Sequence, residues 1–164
     1  MGIRPLEEQF EGTSDAGIRL ERVGGLTVWE AQPAFRHQSA VFRIEASVRS
    51  EVGGACGCVH VADCSLAFPD GSIKRPDIAI FCRVPDEDES AVTLLPEAVI
   101  EVVSREYEAK DYDVGVPFYL RSGVKDVVTY DPRTGEVRHY RSDSLVQYIS
   151  PIDIKLECGC LCTV

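Results

Sequence analysis

The tightest constraint in the sequence is the run Val99-Ile100-Glu101-Val102-Val103, four apolar β-formers around one carboxylate. A short, near-continuous apolar run fits a strand buried on both faces, in the middle of a sheet with layers on either side. Such a strand has no room for an isolated charge. A carboxylate taken out of water needs a cation, hydrogen-bond donors or a proton. Glu101 therefore marks either a structural ion pair or a place of chemistry.

The neighbouring segments supply the rest of a sheet. Ile78-Ala79-Ile80-Phe81 reads as a second apolar strand. Val127 to Tyr130 and Glu136 to Tyr140 flank Asp131-Pro132-Arg133-Thr134-Gly135, a hairpin signal. Ile18 to Trp29 reads as a strand pair around the Gly24-Gly25 turn. Between them, 34–50 carries His37, Val41, Ile44 and Val48 at helical spacing, so His37 falls on the buried side near the helix start. Gly53-Gly54 is expected to end that helix, and Cys56 to Leu66 reads as a strand. A second helix is expected within 111–122, where Pro117 fits an early position. Leu145 to Val164 reads as irregular strand. The fold class is mixed α+β, a central mixed β-sheet flanked by helices, with an N-terminal β-hairpin and extra C-terminal strands. A chain of 164 residues suits one domain over 17–164, preceded by a flexible arm at 1–16 without periodicity.

Charge and cysteine content narrow the setting. The formal charge is −10, which argues against tight non-specific binding to nucleic acid, because such affinity comes from neutralising phosphates. No apolar run approaches the roughly 20 residues a membrane span needs. Acidic Glu7, Glu8 and Glu11 near the start do not fit a signal peptide, so a cytoplasmic setting is expected. There a disulfide framework is not expected from the seven cysteines. Cys56, Cys58 and Cys64, the lone Cys82, and Cys158, Cys160 and Cys162 read first as small packing side chains on strand faces. A thiolate metal site helped by His60 is the weaker reading, since structural zinc sites use wider spacing with each pair on a turn.

Asp77 sits at the mouth of the Ile78–Phe81 strand, and Glu101 lies inside its own. Two such carboxylates suit a Mg2+ ion, which prefers carboxylate oxygens and waters and can activate a water at a phosphodiester. The plain alternative makes Asp77 a turn residue after Pro76 and Glu101 an ion-pair partner of Lys74 or Arg75.

Arg75-Pro76-Asp77 followed by Val99-Ile100-Glu101-Val102-Val103-Ser104 resembles the PD-(D/E)XK nuclease superfamily, and more closely its Uma-type restriction endonuclease family. Leu20-Glu21 with Gly25, His37-Gln38, Tyr119, Gly123-Val124 and Tyr130-Asp131-Pro132 continue the resemblance in order, from about residue 18 to 155. The resemblance implies a restriction-endonuclease-like core in which Asp77, Glu101 and the main-chain carbonyl of Val102 hold Mg2+, with Mn2+ as a substitute. Glu21 and His37 would approach from the N-terminal elements. DNA is the implied substrate, bound weakly, and a homodimer is expected because cutting two strands favours a two-fold pair.

The pattern breaks at the lysine. The superfamily places one two residues after the glutamate, where this chain has Val103. Uma-type members instead place one four residues after an aspartate, which from Asp111 is Gly115. Lys110 is the remaining candidate, able to orient water or stabilise a pentavalent phosphate. The alternative is a degenerate nuclease fold kept as a binding or assembly module.

Overall fold

The structure, a computed structural model, describes residues 18–31, 33–105 and 107–164, so the expected arm at 1–16 lies outside the described residues. Thirteen strands are described: β1 Ile18–Val23, β2 Leu26–Ala31, β3 Arg49–Ser50, β4 Val59–Ala62, β5 Leu66–Ala67, β6 Ile73–Lys74, β7 Ile78–Phe81, β8 Ala98–Val102, β9 Asp126–Asp131, β10 Glu136–Arg141, β11 Ser144–Ile149, β12 Asp153–Lys155 and β13 Cys160–Thr163. Two α-helices accompany them, α1 Phe35–Ser47 and α2 Val116–Arg121, the latter led in by a π-helical turn at Lys110–Gly115.

The central sheet has the order β11-β10-β9-β8-β7-β4. Only β8 and β9 run parallel, as a strand pair linked through a helical crossover must. β7, β8 and β9 are buried along their whole length, the outcome expected of unbroken apolar runs. On one face, α1 packs Ala40, Val41 and Ile44 against Ile78, Ile80, Ala98 and Ile100. On the other, α2 lays Val116, Phe118 and Tyr119 over Ala79, Phe81, Val99 and Val127. The strand period of two sends Ile100 and Val102 to the α1 side and Val99 and Glu101 to the α2 side.

Several local expectations hold for visible reasons. The β1–β2 hairpin turns at Gly24-Gly25, with φ of +54° and +84° that glycine adopts without steric penalty. Pro117 is in the first turn of α2, where its missing N–H is not needed. The preceding π turn is the departure: the helical segment expected from 111 starts wide, and such turns cluster at functional sites.

Other expectations need correction. α1 ends at Ser47 rather than at Gly53-Gly54, because Arg49–Ser50 pairs with β13. The strand expected from Cys56 starts only at Val59. The C-terminal stretch is not irregular: β11 closes the edge of the central sheet, while β12 and β13 join β3 in a separate three-stranded sheet. A third sheet, β2-β1-β6-β5, was not foreseen. The cysteines also depart from expectation. Cys56–Cys82 and Cys58–Cys160 are disulfide-bonded, and Cys64, Cys158 and Cys162 are thiols. No helix among the described residues is long and apolar enough to cross a membrane.

Candidate active site

The register of the central sheet makes Asp77 and Glu101 neighbours. Ile78 pairs with Ile100, so the next antiparallel pair outward is Asp77 and Glu101. Glu101 in turn pairs with Thr129 on β9. Both acids are buried, Asp77 to 6% exposure and Glu101 to 2%. The Asp77 amide donates to Glu101 Oε2 at 3.2 Å, and the Val102 amide donates to Asp77 Oδ2 at 2.8 Å. Each carboxylate is thereby fixed by the backbone of the other's strand. His37, from the first turn of α1, brings its Nε2 to 3.1 Å from the same Asp77 oxygen. The Tyr119 hydroxyl of α2 donates to Glu101 Oε1 at 2.9 Å.

A second layer comes from the unforeseen sheet. Arg22 pairs with Ile73, which sets Glu21 on β1 beside Lys74 on β6. Lys74 is fully buried; its Nζ donates to Glu21 Oε2 at 2.5 Å and lies 5.2 Å from the Tyr119 ring centre. The Arg75 amide closes the other oxygen of Glu21 at 2.9 Å. Lys110 also turns inward. Its side chain is 9% exposed, with Nζ 3.9 Å from Glu21 Oε2 and 3.8 Å from Asp111 Oδ1. The plain alternative for Glu101 does not describe this site: Lys74 pairs with Glu21, and the Arg75 guanidinium pairs with exposed Asp63.

Burial has different outcomes for the carboxylates of this pocket. Burial first, then the charge of Asp77, pushes Glu101 from an ordinary 4.5 to about 7, with Lys110 and Lys74 pulling the other way. Glu21 shows the opposite outcome. Burial alone would raise it, but Lys74 and then Lys110 outweigh burial and hold it below the ordinary range. Tyr119 is driven well above its ordinary value by burial and next by Glu101, so it stays a donor. Among the described residues, Glu21, Asp77, Glu101 and Asp111 are buried with Lys74 and Lys110 beside them, a carboxylate-rich donor set of the kind a divalent cation takes.

Next to His37 a cleft of about 360 Å³ opens to solvent, lined by Arg36, Val103, Ser104, Arg105, Tyr107 and Arg133 among others. Arg36 and Arg105 are exposed, and Arg133 binds Asp131 and Glu108. The cleft beside His37 thus carries arginines on a chain whose formal charge is −10.

The sequence pattern described as "Uma2: Putative restriction endonuclease" matches residues 6–155. The chain belongs to the Uma2 family. Its fold also matches the crystal structure of a "putative nuclease belonging to DUF820" from Anabaena variabilis ATCC 29413, with a TM-score of 0.68. That match has 18% identity and covers 86% of this chain and 83% of the other. At such identity the likeness speaks for the fold, which is restriction-endonuclease-like. No curated protein matches the sequence.

For a Uma2 chain the missing lysine now has a geometric context. Val103 is buried and apolar. At Gly115 an added Cβ would lie 3.8 Å from Lys74 Nζ and 3.2 Å from the Lys110 carbonyl. The ammonium of Lys74 therefore stands in van der Waals contact with the point where a side chain at 115 would begin. Sequence reasoning named Lys74 only as an ion-pair partner. The available signal was its position three residues before Asp77, together with a glycine where the family pattern has lysine.

Proposed function

We propose that this Uma2 chain is a Mg2+-dependent endonuclease that hydrolyses phosphodiester bonds in DNA, with Mn2+ as a working substitute. The observation that carries the reading is Glu101, a carboxylate sealed in a sheet core beside Asp77 and raised to about 7 in the absence of a cation. A divalent ion held by Asp77, Glu101 and the Val102 carbonyl would supply Lewis acidity and lower the pKa of a bound water.

The chain's own groups do the rest. His37 and the Val102 amide hold Asp77 in place, and the Tyr119 hydroxyl and Asp77 amide hold Glu101. Lys74 and Lys110 bring two ammonium groups to Glu21, which limits their movement. An ammonium so fixed orients the attacking water and stabilises the charge growing on a pentavalent phosphate. Lys74 is the stronger candidate, because its Nζ lies beside Gly115; Lys110 supports it. Arg36 and Arg105 at the cleft mouth meet the backbone phosphates, giving local attraction on an acidic protein and therefore modest overall affinity. We place the enzyme in the cytoplasm and expect it to act as a homodimer, with one site for each strand.

The test is incubation of plasmid with pure protein and Mg2+ or Mn2+, beside Asp77→Ala and Lys110→Ala variants. Loss of nicking and linearisation in Asp77→Ala is expected, and cleavage that survives it would sink the mechanism. The vacancies at Val103 and Gly115 favour one competing reading, a degenerate fold serving as a binding module. Calorimetry separates the two, since a degenerate site should take up neither ion.

A further inference from the structure

The cysteines lie far from Asp77 in function and form a cluster of their own. Cys56 and Cys58 precede β4, Cys82 follows β7, and Cys158 and Cys160 bracket the β12–β13 turn. The fold brings these three segments to one place, where the C-terminal sheet meets the edge of the central sheet. The sulfurs of Cys56, Cys158 and Cys160 lie within 4.8 Å of one another. Cys58 is bonded to Cys160 and Cys82 to Cys56, so five sulfurs share the cluster. Two disulfides use only four of them. Neither simple packing nor a disulfide framework calls for Cys158 to stand against both bonds.

The backbone removes the main objection to a metal. C-x-C pairs on straight strands place both sulfurs poorly for one ion, but neither pair here is on a straight strand. Residues 56–58 belong to no strand, and Cys58 has a φ of +48°. Gly159 turns with a φ of +90° between Cys158 and Cys160. Gly57 lies against the segment after β7: its amide donates to the Cys82 carbonyl at 3.1 Å, and a Cβ there would meet the same oxygen at 3.1 Å. Residues 56–58 are thus irregular and Cys158-Gly159 lies in a turn, so neither pair is held to the side-to-side alternation of a strand. The Sγ atoms of Cys56 and Cys160, not bonded to each other, are 3.5 Å apart. That is near the roughly 3.8 Å edge of a tetrahedron of sulfurs at ~2.3 Å from one Zn2+. His60, the imidazole nearest in sequence, is exposed and hydrogen-bonded to the Cys58 carbonyl, so the ligand set is all sulfur.

We propose that Cys56, Cys58, Cys158 and Cys160 form a structural Zn2+ site in the reduced protein, and that the two disulfides are the oxidised, metal-free state of the same cluster. Each disulfide takes two electrons and two protons from a dithiol reductant, yielding two thiols and the reductant's own disulfide. Zn2+ binding by the four thiols then releases their protons. Cys82 is the spare thiol. The ion ties the β3-β12-β13 sheet to the core and plays no part at Asp77, so the proposal stands apart from the nuclease reading.

The full chain, purified under a dithiol reductant, should carry one zinc per chain by elemental analysis and show seven titratable thiols after denaturation and metal removal. Cys58→Ser and Cys158→Ser should lose the metal, while Cys82→Ser keeps it. Co2+ titration of the reduced wild type, which needs no variant, should give the charge-transfer and visible bands of tetrahedral thiolate cobalt. Absence of zinc and of these bands in protein with all thiols reduced would overturn the site. Two disulfides that persist under reductant would overturn it as well.

Discussion

Glu101→Gln is expected to make the cation-free protein more stable at neutral pH while abolishing metal binding. In the folded state Glu101 is raised from 4.5 to about 7, by burial first and then by Asp77. Between those values the folded chain holds a proton that the unfolded chain has released. The unfolded state therefore binds fewer protons, and stability falls as pH rises through this window, levelling off above about 7. A span near 2.5 units at ~1.4 kcal/mol each amounts to about 3 kcal/mol, an order-of-magnitude figure for so buried a group. Glutamine keeps both partners, its carbonyl accepting from the Asp77 amide and its amide donating to the Tyr119 oxygen, so the Tyr119 bond reverses while the charge is removed. Urea unfolding in chelator at pH 5 and pH 8 should show wild type losing about 3 kcal/mol more than Glu101→Gln over that interval, or roughly 6–12 °C in Tm. Saturating Mn2+ should restore wild type at pH 8, by about 2.7 kcal/mol at 100 times Kd, and leave the variant unchanged. Parallel pH profiles for the two proteins would refute the reasoning, since they would mean that Glu101 ionises freely in the fold.

Three further outcomes follow from the geometry. Lys74→Met alone should destabilise by about 3 kcal/mol by stranding buried Glu21; Glu21→Gln/Lys74→Met should refold, bind Mn2+ in calorimetry, and still cut at least about 100-fold more slowly than wild type. Arg36→Ala/Arg105→Ala should weaken DNA binding uniformly across sequences and reduce the slope of log K against log salt by about two, read by fluorescence anisotropy. Asp126 lies at 0% exposure and accepts from His139 and Arg141, each at 2.7 Å, and from the Glu157 amide at 2.8 Å. Burial alone would raise it, but these donors hold it below the ordinary range, so Asp126→Asn should lower stability by about 2 kcal/mol in denaturant melts above pH 5 and leave cleavage per folded molecule intact.

What the sequence made legible depended on how far apart the interacting residues lie. β7, β8 and the β9–β10 hairpin declare themselves locally, since apolar runs and a Pro-Gly turn carry their whole signal within a few residues. Asp77 and Glu101 were visible for the same reason, as charges inside such runs. The β6 strand was not. Ile73 is only half buried while Lys74 is fully buried, the reverse of what hydropathy assigns. Nothing near residue 74 explains that inversion, because its cause is Glu21, 53 positions away and brought alongside by pairing of two-residue β6 with β1. The cysteine cluster was hidden in the same way: Cys58 and Cys160 are 102 residues apart, and long-range pairing such as that of β13 with β3 brings their segments together.

The role proposed for Lys74 rests on the same reasoning, with the lysine supplied from another place in the chain. A catalytic ammonium is defined by where its charge stands and not by which strand or helix carries it. Once Gly115 vacates the volume, a four-carbon stem from β6 can fill it, provided a buried acid holds the charge there. Glu21 meets that condition, which accounts for a glutamate with 3% exposure on a hairpin whose other described residues are half-buried or exposed. Lysine at 115 should then be incompatible with Lys74. Gly115→Lys alone would crowd two ammonium groups into one space and unfold readily, whereas Gly115→Lys with Lys74→Met should restore both folding and cleavage. A double variant that folds and binds Mn2+ but does not cut would show that the position of the charge is not what the reaction requires.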